Sequence, residues 1–239
     1  MKLTDFKVLT FDVVGTLIDF ESGVLAAVRR IGGDATKSLS DQQIFEPYMR
    51  GRETFPGRSS QEMFNVYKSL AAALDLPADD QSAAAFQRSV LEWAPFADSV
   101  DALRRLRRHF RLVAMTNADR VALSAYAFAL GDPFDDSVCA DETGVPKPDP
   151  RFFAYNQGRQ GAFGYKQKEI LHTAQSQYHD IGVAHSLGYA TCWIERRQGL
   201  DGFGATPVPA MGVTKPDFTF ATMAALADAA DAEARGAAV

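Results

Sequence analysis

The sequence predicts an α/β protein: a parallel sheet with an all-helical block inserted after its first strand. Three observations carry this. Short apolar runs near residues 7–11, 111–117, 137–139, 170–174 and 191–194 alternate with helical periodicity, the rhythm of strands joined by crossover helices. Several of these runs end in small polar or acidic residues, as at Phe11-Asp12 and Thr116-Asn117, and open parallel sheets place their ligands at such strand ends. Residues 20–93 show helical spacing and no strand-like alternation.

In order, Val8-Leu9-Thr10-Phe11-Asp12 reads as a buried strand delivering one carboxylate to its tip, with Gly15-Thr16 turning behind it. That aspartate is a candidate covalent nucleophile; the simpler reading is a cap on the following turn. Val24, Ala27, Val28 and Ile31 form one helical face, stopped by Gly32-Gly33. A second helix spans 40–52 with a break or kink at Pro47, and Met63, Tyr67, Leu70 and Leu74 make an amphipathic stripe over 59–75. A helix over 79–93 closes the block, which lies well placed over the first strand tip as a lid. The core then resumes. Asp98 is placed to cap a helix carrying Val100, Leu103 and Leu106, a strand runs over 111–117, and a helix covers 119–130. A short strand leads into the Pro-rich loop 143–150, which holds Lys147 fairly still. After a helix at 150–160 and strand 170–174 comes a helix with Ile181, Ala184 and Leu187 on one side. Strand 191–194, the Gly/Pro-rich loop 199–212, an edge strand at Phe218-Thr219-Phe220 and an Ala-rich helix complete the chain.

The 239 residues are 46% hydrophobic, enough for a sizeable core, and a net charge of −5 gives no reason to expect nucleic acid as a partner. Arg104, Arg105, Arg107 and Arg108 read as a solvated helix face. Cys139 and Cys192 read as reduced core residues. No signal peptide or membrane-length apolar run is evident, so a cytoplasmic protein without a membrane partner is the expectation. His109, His172 and His185 stand at unrelated spacings that do not suggest zinc. Asp19 reads as a turn residue, and His179 as either a substrate contact or a helix cap.

Four polar clusters follow predicted strands: Asp12/Thr16, Thr116/Asn117, Lys147, and Ser176/Gln177/Asp180. In this order they resemble the four motifs of the haloacid dehalogenase superfamily, over essentially the whole chain. The resemblance implies a Rossmann-like core formed by 1–19 and 94–239 and a helical cap formed by 20–93. Superfamily phosphatases carry a general acid two residues after the nucleophile, where this chain has Val14, and a magnesium-binding acid at the position of Ser176. An alkoxide leaving group needs a proton, and a hard cation favours charged oxygen ligands. A halide leaves unaided. The segments Gln175–Asp180 and Gly188–Arg197 likewise resemble the type II 2-haloacid dehalogenases.

By that resemblance Asp12 attacks the halogen-bearing carbon of a short 2-haloalkanoic acid, and water hydrolyses the resulting ester to the 2-hydroxy acid. Lys147 keeps Asp12 ionised and neutralises the substrate carboxylate. Thr16 and Thr116 hydrogen-bond Asp12 or that carboxylate, and Asn117 helps accept the halide. Asp180 orients Lys147 and water, supported by Ser176 and Gln177. A cap arginine takes the departing halide; Arg50 is the first choice and Arg52 the reserve. No metal or other cofactor is implied. Typical dehalogenases carry an aromatic residue at Val14 and often Tyr at Phe153, so these two read as packing residues. Cap helices often pair subunits in this superfamily, making a homodimer an expectation. Two competitors stand: a divergent magnesium-dependent phosphatase, and a silent binding protein of the same fold.

Overall fold

In the computed structural model, which describes residues 1–210 and 212–236, six strands form one parallel sheet. They are β1 (Val8–Phe11), β2 (Arg111–Thr116), β3 (Asp136–Cys139), β4 (Ile170–Ala174), β5 (Ala190–Ile194) and β6 (Phe218–Phe220), in spatial order β3-β2-β1-β4-β5-β6. The central strands are mostly apolar because helices cover both faces; every residue of β1 and β4 is buried. β1 pairs with β2 on one side and β4 on the other. The strand order reverses around β1, so a crevice opens at its C-terminal end.

Between β1 and the next core helix the chain forms α1 (Phe20–Gly32), α2 (Asp41–Thr54), α3 (Ser59–Leu74) and α4 (Asp80–Ser89), then a 3₁₀ turn over Val90–Glu92. Asp19 caps α1, accepting the Ser22 N–H at 3.1 Å. A reciprocal Ser40/Gln43 box starts α2. This helix continues through Pro47 to Thr54 rather than breaking there. Proline forfeits one ladder bond, and Pro47 is buried together with Ile44, Phe45 and Tyr48 on the packed face. The last of the four helices ends at Ser89, short of the expected 93.

The core continues with α5 (Ser99–Leu106), α6 (Arg120–Ala129), the single turn α7 (Ala140–Thr143), α8 (Pro150–Ala162), α9 (Gly182–Ser186) and α10 (Met223–Gly236). Asp98 precedes α5 without a side-chain cap bond. Its carboxylate instead pairs with the buried Arg196 guanidinium at 2.9 Å and accepts the Ala224 N–H at 3.2 Å. Arg105 is likewise less solvated than expected, held by Asp228 and Asp231 of α10. After β4 the chain makes a π turn, Gln177–Ile181. Ile181 and Ala184 are buried, but Leu187 is 37% exposed, since α9 ends before it. No described helix is long and apolar enough to cross a membrane.

Several polar contacts bind the helical block to the core. The Asp119 carboxylate caps α6 through the Ala122 N–H and also accepts the Ser60 N–H of α3, at 2.9 and 2.6 Å. Arg58 pairs with Asp141 at 2.7 Å. Glu21 of α1 holds Arg197 and the Ala205 N–H, at 2.6 and 2.7 Å.

Candidate active site

The strand ends at the crevice contribute its polar groups. Asp12 follows β1 directly. Its backbone N–H bonds the Thr173 carbonyl at 3.0 Å, which continues the sheet ladder and fixes the side chain's origin. Gly15 sits at φ +94°, in the left-handed region where a side chain is strained. This tight turn returns the Thr16 hydroxyl to Asp12 Oδ2 at 2.7 Å. The same hydroxyl oxygen accepts the Gln175 N–H at 2.8 Å, so Thr16 joins the ends of β1 and β4. Arg196 donates to the Thr16 carbonyl at 2.9 Å and braces the turn from outside.

Lys147 is 2% exposed, and its ammonium donates to Asp12 Oδ1 at 2.9 Å, Asp180 Oδ1 at 2.6 Å and the Met115 carbonyl at 2.8 Å. Those three bonds use all three ammonium hydrogens. The lysine therefore shares its single positive charge between the two aspartates, with all three of its hydrogens engaged. Asp180 is fully buried, with Oδ2 lacking a partner among the described residues. The π turn places it there; such turns interrupt a helix often at functional sites.

Burial pushes the Asp12 carboxyl above its ordinary range, outweighing the Lys147 ammonium, while the Asp180 charge adds to the rise. Burial also opposes the charge on Asp180, yet Lys147 and His172 together hold this carboxyl at about 2. Lys147 is raised despite burial, because two carboxylates face it. Burial, with Lys147 and Arg52 adding to it, lowers His179 to about 4, so this imidazole is neutral near pH 7.

A cavity of about 640 Å³ lies over these groups. Asp12, Thr116, Asn117, Lys147, Ser176 and Asp180 line its floor. Thr116 accepts the Ala118 N–H at 3.1 Å. Asn117 donates to the Lys147 carbonyl and accepts the Lys147 N–H, at 2.8 and 2.7 Å. With its oxygen and one N–H so engaged, Asn117 holds the lysine and keeps one amide hydrogen for a ligand. Ser176 caps the π turn through the His179 N–H at 2.9 Å.

Two expected site residues lie outside the cavity lining. Gln177 is buried but does not line the cavity; its Oε1 accepts the Thr214 N–H at 3.0 Å. It thus ties the start of the π turn to the returning loop. Arg50 is exposed and also lies outside the lining. Two positions is about half a helical turn, so Arg52 faces inward instead. Arg52 lines the cavity, and its Nη1 is buried without a partner among the described residues. A guanidinium held this way is a ready anion contact.

Val14, Phe20, Tyr48, Met63, Trp93 and Tyr126 supply the apolar wall. Trp93 and Tyr126 stack at 6.4 Å and 7°. Ala205, Thr206 and Pro207 close one side; the Gly/Pro-rich composition of their loop carried no signal of a site. His172, read from its spacing as unremarkable, lies directly behind Asp180 at 3.0 Å.

The donor set does not fit a hard divalent cation. Asp12 is engaged on both oxygens, Ser176 offers a hydroxyl and not a carboxylate, and no group of three or more His, Cys, Asp or Glu side chains able to hold a metal occurs among the described residues.

A protein-family model described as haloacid dehalogenase-like hydrolase matches residues 6–162. An (S)-2-haloacid dehalogenase of Pseudomonas putida is 27% identical, covering 83% of this chain and 89% of that protein. Haloacetate dehalogenase H-2 of Moraxella sp. (strain B) is 27% identical, covering 86% and 94%. The crystal structure of the defluorinating L-2-haloacid dehalogenase Rha0230 superposes with a TM-score of 0.74 at 18% identity, covering 93% of this chain and 94% of that one. This last likeness shows the fold.

Proposed function

Because the chain belongs to the haloacid dehalogenase-like hydrolase family, we propose that it is a metal-independent dehalogenase converting short 2-haloalkanoic acids to 2-hydroxy acids. The observation that carries this reading is the pairing of Asp12 with Val14 in one cavity wall. The first is a carboxylate nucleophile; the second is apolar where a phosphatase of this superfamily keeps its proton donor. Such a site suits a leaving group that needs no proton.

In the first step an Asp12 carboxylate oxygen attacks C2 of the acid from behind the halogen. A C–O bond forms, the C–X bond breaks, and halide departs with its electron pair. Thr16 and Lys147 hold the carboxylate in line. Arg52 receives the halide, taking the role first given to Arg50. The Thr116 hydroxyl binds the substrate carboxylate, and the remaining Asn117 N–H helps receive the halide. In the second step water attacks the Asp12 ester carbonyl, and the unpartnered Asp180 Oδ2 accepts its proton. The 2-hydroxy acid leaves as the alkoxide fragment regains a proton, and Asp12 is restored with one oxygen from water.

The test is halide release from both 2-chloropropionate enantiomers and from haloacetates, with Asp12→Asn as control and EDTA present. Release that survives EDTA and vanishes in the variant supports the reading. Phosphate release from phosphoesters that stops on chelation, with no halide released, refutes it.

A further inference from the structure

His172 stands where a parallel sheet ordinarily keeps an apolar residue. It is fully buried in β4, in register with Thr10 of β1. A buried imidazole is tolerated only when both nitrogens are bonded. Here Nδ1 lies 2.9 Å from Thr10 Oγ1, and Nε2 lies 3.0 Å from Asp180 Oδ1. The Phe153 ring packs against the imidazole edge-on, at 5.2 Å and 78°. Phe153 has no hydroxyl to compete for either nitrogen. Because the Asp180 carboxylate can only accept, the Nε2 nitrogen carries the hydrogen it shares with Asp180.

A histidine serving packing alone could bond any nearby carbonyl. This one bonds the same carboxylate oxygen that receives the Lys147 ammonium. Asp180 therefore takes two donors on Oδ1 and none on Oδ2. We propose that His172 is a positioning residue for the second half of the reaction: through Asp180 it fixes the free carboxylate oxygen that activates water against the Asp12 ester. This rests on the dehalogenase reading above.

The two half-reactions separate the role. Ester formation needs Asp12 charged and aligned by Thr16 and Lys147, neither of which touches His172. In the ester Asp12 carries no charge, so ionisation of Asp180 governs hydrolysis. The charged or titratable groups around Asp180 are Lys147 from the loop before α8, Asp12 from the β1 tip, His172 from β4, His179 from its own turn, and Arg52 from the cap. Removing the His172 N–H removes one of the contacts that lower the Asp180 pKa. The Asp180 pKa then rises, and hydrolysis fails from a higher pH downward.

The experiment uses the full chain with His172→Phe, which keeps ring bulk, and His172→Gln, which keeps a donor near the Nε2 position. Single-turnover halide release and ester decay on 2-chloropropionate are measured across pH, with a ¹³C-carboxyl NMR titration of Asp180. In the Phe variant we expect halide release within about threefold of wild type, ester decay slowed about tenfold or more, and the Asp180 titration moved up by about one unit. The Gln variant should restore most of the decay rate. Should the Phe variant not fold, Thr10→Val removes the ring's other partner and is read by the same measurements. An unmoved Asp180 titration, both steps slowing together, or no recovery with Gln overturns the proposal. If the wild type forms no ester with 2-haloacids, the dehalogenase reading falls, and the carboxyl titration still decides whether His172 governs Asp180.

Discussion

Asn117 grips Lys147 by its backbone, accepting its N–H at 2.7 Å and donating to its carbonyl at 2.8 Å. The ammonium at the far end of that side chain is thereby anchored at its root as well as its tip. Asn117→Ala should lower kcat by about 10²-fold, the loss typical of a reacting group displaced by an ångström. Steady-state kinetics alongside thermal unfolding checks this; a large loss of stability with unchanged kcat would point to packing instead.

Lys147 is the shared cation of two buried carboxylates. Lys147→Met leaves Asp12 and Asp180 facing each other without it, and should destabilise the fold by about 3–5 kcal/mol besides abolishing turnover. Lys147→Arg should not restore activity, because a planar guanidinium cannot reproduce the three divergent bonds of the ammonium. Urea denaturation and halide assays together test both statements.

Arg52 and Arg50 are two residues apart and face opposite ways. Arg52→Ala should reduce kcat/KM by about 10²-fold or more, as expected for loss of a charged contact in a water-poor site. Arg50→Ala should leave kcat/KM and stability within error, as for other exposed charges. Equal losses in both variants would contradict the geometry.

Ester formation should show an acid limb above the ordinary aspartate range. Burial raises the Asp12 pKa, and only the ionised carboxylate attacks, so kcat/KM falls as pH drops through that raised value. His179, held at about 4, stays neutral near pH 7. His179→Gln should therefore leave the neutral-range profile unchanged. A kcat/KM profile flat to below pH 3 would contradict the assignment.

Most of the architecture was legible because strands and helices write different periods into the chain. The apolar run ending at Asp12, the cap's helical spacing and the order of the polar clusters were enough to expect this fold. Local chemistry was less legible. The period fixes that α2 is a helix, but which of Arg50 and Arg52 faces the crevice depends on how α2 packs. The orientation of Gln177 was not legible, because its partner, the Thr214 N–H, comes from a distant loop. His172 escaped notice because its partners, Thr10 and Asp180, meet it only through sheet register and the π turn after β4. The loop bringing Ala205 to the cavity has no periodicity at all, and it is held by distant partners such as Glu21 on α1 and Gln177 after β4.

The central claim is attack by an Asp12 oxygen on carbon, followed by water attacking the Asp12 carbonyl. Single turnover in ¹⁸O water, followed by mass analysis of the Asp12 peptide and of the 2-hydroxy acid, tests it directly. The label should enter Asp12 and be absent from the first equivalent of product; label appearing in the product and not in Asp12 would contradict the ester route.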